Sequence, residues 1–283
     1  MLRLVYYPWI TQNVAQQVIA DQIGVFARLI EQQLASAGTT ETVQVMPPVD
    51  VPQQIQQVVA GTADIALMNP LGLVFAHNAN ANAEAVAVAK RIIDGQVGIV
   101  YFAQLYTHKK HAIKALAKAA GLSVGYGVPF STSNFLIPAF MLQKAGVHPL
   151  LGFERVQFLK GHEIVARAVY EGKVDVGAGH DGVIIDLANQ RGYGDAEDVL
   201  VQLKRSEPIP SDPIVVTTPD AGKRALLQRA IVAAGETAAG IEALKIFWGN
   251  VQGLAATTSA PYMVLSNALQ ALKLEQADVI PPR

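Results

Sequence analysis

A run of hydroxyl and amide side chains follows a short apolar strand at 122–126 and a Gly/Pro turn. The run consists of Ser131, Thr132, Ser133 and Asn134. A helix start leaves backbone N–H groups without intrahelical partners and carries partial positive charge, so hydroxyl groups packed there add donors for a tetrahedral oxyanion. The alternative is that one of these hydroxyl groups is only the N-cap of a helix. Pro138 indicates that the helix begins late or is kinked, which places the hydroxyl groups in the entering loop.

Two further polar pairs follow predicted strands. His162 and Glu163 come after Gly161 at a helix start, where His162 could donate to an oxyanion. Glu163 has a second explanation, because the helix dipole favours a carboxylate at this position in any protein. His180 and Asp181 end the strand 174–178 and suggest a base with its orienting acid. An enzyme using either pair as general base is therefore an alternative, although no nucleophile or metal motif accompanies it.

Composition excludes several other classes. The chain has 283 residues, of which 51% are hydrophobic and 16% are charged, and its net charge of −1 offers no basic surface for nucleic acid. The absence of cysteine excludes disulfides and thiolate metal sites. No apolar run reaches the ~20 residues of a membrane span. His108 and His111 have metal-ligand spacing, but no carboxylate or cysteine accompanies them, so a solvated strand end is favoured.

The order of elements predicts an α/β fold. Strands and helices alternate through the first part of the chain, which indicates parallel pairing. The expected elements are strand 2–7, helix 14–34, strand 41–46, helix 51–60 and strand 63–68. Ligands of such sheets bind beyond the carboxyl ends of the strands. Tyr7 and Trp9 lie at one such end and Asn69 at another, and the aromatic pair could cover an alkyl or cationic part of a ligand.

Four ordered motifs resemble the phosphonate- and phosphite-binding proteins of ABC importers. Residues 129–138 (PFSTSNFLIP) are similar to the family signature P-x-S-T-S-G-F-L-x-P, and 61–66 stand where the family has x-x-V-D-I-A. Residues 161–163 with 166–176 resemble G-H-(E/D)…A-V-x-x-x-x-V-D, and 206–215 resemble S-x-x-I-P-x-D-P-I-V. The similarity runs over most of the chain. It implies a solute-binding component of an ABC importer rather than an enzyme.

The resemblance implies a two-lobed periplasmic-binding-protein fold of type II. Each lobe would be a mostly parallel sheet flanked by helices, with residues 1–105 and 215–283 in lobe one and 106–214 in lobe two. A phosphonate, phosphite or small phosphate ester would be captured between the lobes by hinge closure. We further expect a monomer that needs no cofactor or metal and delivers its ligand to a membrane permease. The expected location is the periplasm, with an export signal removed from this form and a lipid anchor left open.

The resemblance also implies roles for individual residues. The hydroxyl run would hold the oxyanion, His162 and Tyr101 would add donors, and Glu163 would serve an amine if the ligand has one. A strand tyrosine such as Tyr101 is otherwise most often packing. His180 stands where the family usually carries Asp or Asn, so the end of the ligand away from phosphorus stays open. Asp212 is a turn or hinge residue as readily as a ligand contact. The same fold binding another small anion or an amine-bearing solute is a further alternative.

Overall fold

The computed structural model describes residues 1–8 and 14–279, so Trp9 lies outside the described residues. The chain forms two compact units. The first comprises Met1–Val100 and Pro210–Met263, and the second comprises Tyr101–Ile209 with the described part of Val264–Arg283. The sequence placed the passages between lobes a few residues later, at 105/106 and 214/215, and left 264–283 with the first lobe. In the structure, helix Val264–Leu272 packs on helix Ile137–Lys144 of the second unit.

Fourteen strands are present in the described residues. They are β1 Leu2–Tyr6, β2 Val43–Val45, β3 Ile65–Leu67, β4 Ala83–Ile93, β5 Gln96–Gly98, β6 Val100–Tyr101, β7 Ala103–His108, β8 Ser123–Tyr126, β9 Arg155–Phe158, β10 Val176–His180, β11 Leu200–Arg205, β12 Ile209–Pro210, β13 Pro213–Thr217 and β14 Val251–Ala256.

Eleven α-helices accompany these strands within the described part of the chain. They are α1 Gln16–Ser36, α2 Val51–Val59, α3 Pro70–Ala79, α4 Ile137–Lys144, α5 His162–Tyr170, α6 Val183–Ala188, α7 Ala196–Val199, α8 Ala221–Gly235, α9 Ala238–Trp248, α10 Val264–Leu272 and α11 Gln276–Val279. A π-helical turn, Thr132–Leu136, leads directly into α4. None of the described helices combines the length and apolar character that a membrane crossing requires.

The sheet of the first unit has the order β14-β4-β13-β3-β1-β2, with β5 added to β4. β1 runs parallel to β2 and β3. β13 is antiparallel to both β3 and β4, and β14 is antiparallel to β4. The α/β class is therefore confirmed, but this sheet is mixed rather than mostly parallel. The physical reason is that β13 enters from a distant part of the chain, which frees it from the parallel order that a βαβ crossover imposes.

The sheet of the second unit has the order β11-β7-β10-β8-β9. β8 is parallel to β9 and β10, whereas β7 is antiparallel to β10 and β11. The expectation of a mostly parallel sheet is therefore wrong here too. The parallel part nevertheless places the carboxyl ends of β8, β9 and β10 at one edge. The hydroxyl run and the pairs His162/Glu163 and His180/Asp181 follow these strand ends.

Apolar periodicity explains the long helix α1. Its buried residues recur at helical spacing, so that one face packs on α8 and α9. The buried residues of α1 are Ile19, Ile23, Phe26, Ala27, Ile30 and Leu34. In the second unit, α5 packs on β10, and Val165 and Val169 lie in a fully buried cluster with Tyr106 of β7. Both sheets thus have a covered face that fixes their register.

Helix α3 was not predicted from the sequence. Most of its residues are buried, including Leu71, Leu73, Val74 and Phe75, so no polar face reveals a helical period. A local signal was present, because Asn69 caps the helix and Pro70 occupies its first turn. The sequence pattern at 113–120 also predicts a helix, whereas the structure has only a short 3₁₀ turn there, Leu116–Ala119.

Asp212 lies in a buried ion pair in the first unit. Its carboxylate accepts a hydrogen bond of 2.5 Å from the Arg91 guanidinium, which also donates to Ser211 Oγ and to the carbonyl of Trp248. Burial raises the pKa of the Asp212 carboxyl, even though Arg91 attracts its charge. Every donor direction of the guanidinium group that faces the protein is thus used. The role of Asp212 is to hold the strand β13 against β4.

Arg91→Met leaves the Asp212 carboxylate buried without its cation, so we expect a loss of about 3–5 kcal/mol in the unfolding free energy of the first unit. The matched control is Lys245→Met, which removes an exposed cation that pairs with Glu242 on α9. That change should cost about 0.5 kcal/mol or less. Guanidinium denaturation followed by circular dichroism measures both. Equal losses of unfolding free energy in the two variants would show that the buried ion pair contributes no more to stability than the exposed one.

Candidate functional site

The hydroxyl run forms a wide first turn ahead of α4. Leu136 N–H donates to the Ser131 carbonyl at 3.0 Å, and Ile137 N–H donates to the Thr132 carbonyl, so both bonds span five residues. Pro138 has no N–H and cannot continue this ladder, so the α-helix proper starts here. The late helix start expected from Pro138 is thus confirmed.

Ser131 is the N-cap of this turn. Its hydroxyl oxygen accepts from Asn134 N–H at 3.1 Å, while its own proton stays available to an acceptor. Thr132, Ser133 and Asn134 are buried. The hydroxyl group of Ser133 has no hydrogen-bond partner among the described residues. The N-cap role that the sequence offered as one explanation is thus confirmed for Ser131. Because its hydroxyl proton can still be donated, this role is compatible with the other explanation, that the run binds an oxyanion.

The Asn134 amide connects three elements. Its nitrogen donates to the Ala178 carbonyl of β10 at 2.8 Å and lies 3.0 Å from His162 Nδ1 at the start of α5. A carbonyl oxygen only accepts, so the NH₂ group of Asn134 must face Ala178, and this sets the orientation of the amide. The His180 N–H also points at His162 Nδ1, at 3.3 Å. With two donors facing it, Nδ1 is the acceptor.

His162 is therefore a neutral imidazole that carries its proton on Nε2. Burial lowers the pKa of His162 to about 4, because the surrounding protein disfavours the charged ring. The ring lies beside that of His180, with centroids 4.7 Å apart. His162 thus carries one N–H group, on Nε2, without adding a full charge.

The two acids next to the histidines have partners of their own. Glu163 Oε2 accepts a hydrogen bond from Gln190 Nε2 at 2.6 Å, and the side-chain oxygen Oε1 of Gln190 accepts one from the Arg167 guanidinium group. Burial raises the pKa of the Glu163 carboxyl, although the Gln190 hydrogen bond works in the opposite direction. Asp181 Oδ2 accepts from Arg205, whose guanidinium group stacks 3.6 Å from the centre of the Phe102 ring.

His180 is held in place by two groups. Gly182 N–H donates to His180 Nδ1 at 3.2 Å, so the proton of the neutral ring is on Nε2, which lies 3.3 Å from Asp186 Oδ2. The acid that faces this imidazole is thus Asp186 of α6 and not the adjacent Asp181. The sequence identified His180 but not Asp186, since the pairing depends on how β10 turns into α6.

The structure brings part of the sequence-derived set together in the second unit. That group comprises Ser131, Thr132, Ser133, Asn134, His162, Glu163, His180 and Asp181. Tyr101, in β6, is the first residue of the same unit. Tyr7 and Asn69 belong to the first unit, where Tyr7 packs edge-on against Phe247 and Asn69 Oδ1 caps α3 through Gly72 N–H. Ligand contact by any of these residues remains a prediction.

Gly127 is essential to the site and was not singled out in the sequence as more than a turn residue. A Cβ atom on Gly127 would lie 1.7 Å from Asn134 Oδ1 and 2.5 Å from its Cγ. Gly127 also receives a hydrogen bond from Lys160 N–H and donates to the Asn134 carbonyl. The close approach of the Asn134 side chain thus requires glycine at this position.

His108 and His111 have partners within the protein. His108 caps a short 3₁₀ turn and His111 Nε2 faces Asp175 at 3.2 Å. Among the described residues, no group of three or more His, Cys, Asp or Glu side chains could hold a metal ion.

A family model described as "ABC transporter, phosphonate, periplasmic substrate-binding protein" matches residues 10–262, which is most of the chain. The chain belongs to this family. It is therefore the substrate-binding component of an ABC transporter, with a small-molecule ligand and a membrane permease as partners. The family consists of binding proteins, so the alternative of an enzyme that uses His162 or His180 as general base is discarded.

Solved structures agree with this fold at low sequence identity. PhnD1 from Prochlorococcus marinus in complex with methylphosphonate has a TM-score of 0.73 and 18% identity, over 96% of this chain and 98% of that one. A binding protein component of an ABC phosphonate transporter from Pseudomonas aeruginosa has a TM-score of 0.71 and 21% identity, over 96% of this chain and 86% of that one. The aliphatic sulphonate binding protein SsuA from Escherichia coli has a TM-score of 0.53 and 17% identity, over 99% of this chain and 76% of that one.

Gly127→Ala should displace the Asn134 amide and with it the hydrogen bond to His162. We expect a loss of about 1–3 kcal/mol in stability, as for other overpacked sites, together with loss of ligand binding. Gly194→Ala is the control, because a Cβ atom there meets nothing within 4 Å. Thermal unfolding and calorimetric titration measure the two effects. A Gly127→Ala protein that binds normally would contradict the role given to Asn134.

The His162 tautomer can be observed directly. Long-range ¹⁵N–¹H NMR should show His162 protonated on Nε2 only, and unchanged from pH 8 down to about pH 5, because its pKa is about 4. As the pH falls, the imidazole of residue 162 takes up a second proton near pH 6.5 in the unfolded chain, but not until about pH 4 in the folded protein. The contribution of His162 to the free energy of unfolding therefore decreases as the pH falls from 6.5 towards 4. A doubly protonated ring at pH 6 would contradict this assignment.

Proposed function

We propose that the protein binds a small phosphonate or phosphite, such as methylphosphonate, at the wide turn 131–136 beside His162. The observation that carries the proposal is the hydrogen-bonded series Ser131, Asn134 and His162, which aligns neutral donors at one sheet edge. Support comes from the family and from a structural neighbour in complex with methylphosphonate.

The donors suit an oxyanion that has more acceptors than a carboxylate. Ser131 and Ser133 have hydroxyl protons to donate, His162 adds its Nε2–H, and the first N–H groups of the turn have few intrahelical acceptors. Each hydrogen bond to a charged oxygen contributes about 1.5–3 kcal/mol. Three or four of them suffice for micromolar or tighter affinity after the cost of association.

The charged groups near the turn favour a ligand without an amine. Glu163 is hydrogen-bonded to Gln190, and Asp181 is paired with Arg205. An ammonium group would have to compete with these contacts for a carboxylate. We therefore propose that methylphosphonate or phosphite binds more tightly than 2-aminoethylphosphonate.

Other parts of the proposal concern residues and states beyond the turn. Tyr101, Tyr7, Trp9, Asn69 and His180 are proposed to contact the ligand. We further propose a monomer that is exported to the periplasm. Substitution of each residue by alanine, followed by measurement of ligand affinity, tests the contacts. Light scattering of the purified protein tests the monomer.

The binding experiment is a calorimetric titration with methylphosphonate, phosphite, 2-aminoethylphosphonate, phosphate, sulfate and acetate. We expect methylphosphonate or phosphite to bind most tightly, and Ser133→Ala to weaken that binding by about 10- to 100-fold because a charge-assisted hydrogen bond is lost. Ser36→Ala, on the exposed end of α1, is the control. Tightest binding of sulfate or a carboxylate would contradict the proposed ligand class.

A further inference from the structure

Lys160 has a backbone conformation that lysine rarely adopts. Its φ angle is +65°, in the left-handed region, between the end of β9 and the start of α5. Its N–H donates to the Gly127 carbonyl at 2.9 Å, which fastens it to the turn that precedes Ser131. Glycine adopts this conformation without steric cost, whereas lysine does so against a penalty. A strained non-glycine residue beside a binding site calls for a functional explanation.

The backbone of Lys160 lies in one of the segments that carry the neutral donors. Three segments build the sheet edge around Asn134, namely 127–134, 159–162 and 178–180. Apart from the histidines, Lys160 is the one titratable residue in these segments. The other donors of these segments are hydroxyl, amide and backbone groups, and His162 is a neutral ring. The carboxylates that directly follow the segments, Glu163 and Asp181, accept hydrogen bonds from Gln190 and Arg205.

Lys160 has no ion pair within the part of the chain that the structure describes, and its side chain is exposed. The cations of the neighbouring elements are engaged elsewhere, since Arg205 pairs with Asp181 and Arg167 donates to Gln190. The charge of Lys160 is thus not cancelled by a carboxylate of its own. Its backbone is joined to that of Asn134 by two hydrogen bonds through Gly127. Added salt screens the interactions of an exposed charge beyond a Debye length of about 10 Å at 0.1 M.

We propose that Lys160 strengthens the binding of the phosphorus oxyanion at the turn, by supplying the electrostatic attraction that the neutral donors lack. The strain at φ +65° is kept because glycine would remove the charge. The inference rests on the proposed function, since it concerns the same ligand. It predicts that stability and affinity change in opposite directions when Lys160 becomes glycine.

The experiment compares Lys160→Gln, Lys160→Gly and Lys160→Arg in calorimetric titrations with methylphosphonate and phosphite at 10 mM and 300 mM ionic strength. Lys160→Gln and Lys160→Gly should bind about three- to tenfold more weakly at 10 mM, and this difference should shrink below about twofold at 300 mM because salt screens the charge. Lys160→Arg should restore the affinity. Lys160→Gly should also raise the thermal unfolding midpoint, because the backbone strain is relieved.

Lys118→Gln is the matched control. It removes a charge of the same sign from an exposed lysine of the same unit, in the 3₁₀ turn before the opposite end of β8. Its affinity should equal that of the unmodified protein at both ionic strengths.

The outcomes separate this inference from the proposed function. If Ser133→Ala weakens binding but Lys160→Gln and Lys160→Gly bind normally at 10 mM, the inference about Lys160 is overturned and the proposed function stands. If the loss in Lys160→Gln is the same at both ionic strengths, the charge is not the cause and the inference is also overturned. If the unmodified protein binds no phosphorus oxyanion, both proposals fail together.

Discussion

The candidate site depends on the side-chain amide of Asn134. It donates to the Ala178 carbonyl and to His162 Nδ1, and its oxygen lies against Gly127. One planar group thereby joins the ends of β8 and β10 to the start of α5. An ionised aspartate at this position would bring no donors. The tautomer of His162 and the course of the turn are both consequences of this contact.

The candidate site combines neutral donors with acids that have hydrogen-bond partners at its margin. Glu163 with Gln190, and Asp181 with Arg205, keep carboxylates satisfied close to the hydroxyl run. A buried carboxylate without a partner would repel an oxyanion and would itself be costly. Pairing these acids within the protein makes their presence compatible with an anionic ligand.

Sequence patterns placed strands such as 122–126 and 174–178 to within about two residues, and placed the hydroxyl run at a late helix start, because these features are local. The apolar strand 122–126, the Gly/Pro turn and Pro138 are enough to position Ser131 near a helix start. The contact between Asn134 and Ala178 joins residues 44 positions apart, and no local period reports it. Likewise, α3 is apolar on all sides and β13 pairs with distant strands, so neither the helix nor the mixed sheet order followed from periodicity.

The position of β13 has a consequence for the order of folding. This strand lies between β3 and β4, so the sheet of the first unit is divided until residues 213–217 have been synthesised. By then all five strands of the second sheet already exist, since they end at Arg205. Contacts between such distant segments slow folding because a long loop must close first. The sheet of the first unit, although it begins the chain, is thus the later of the two sheets to be completed during synthesis.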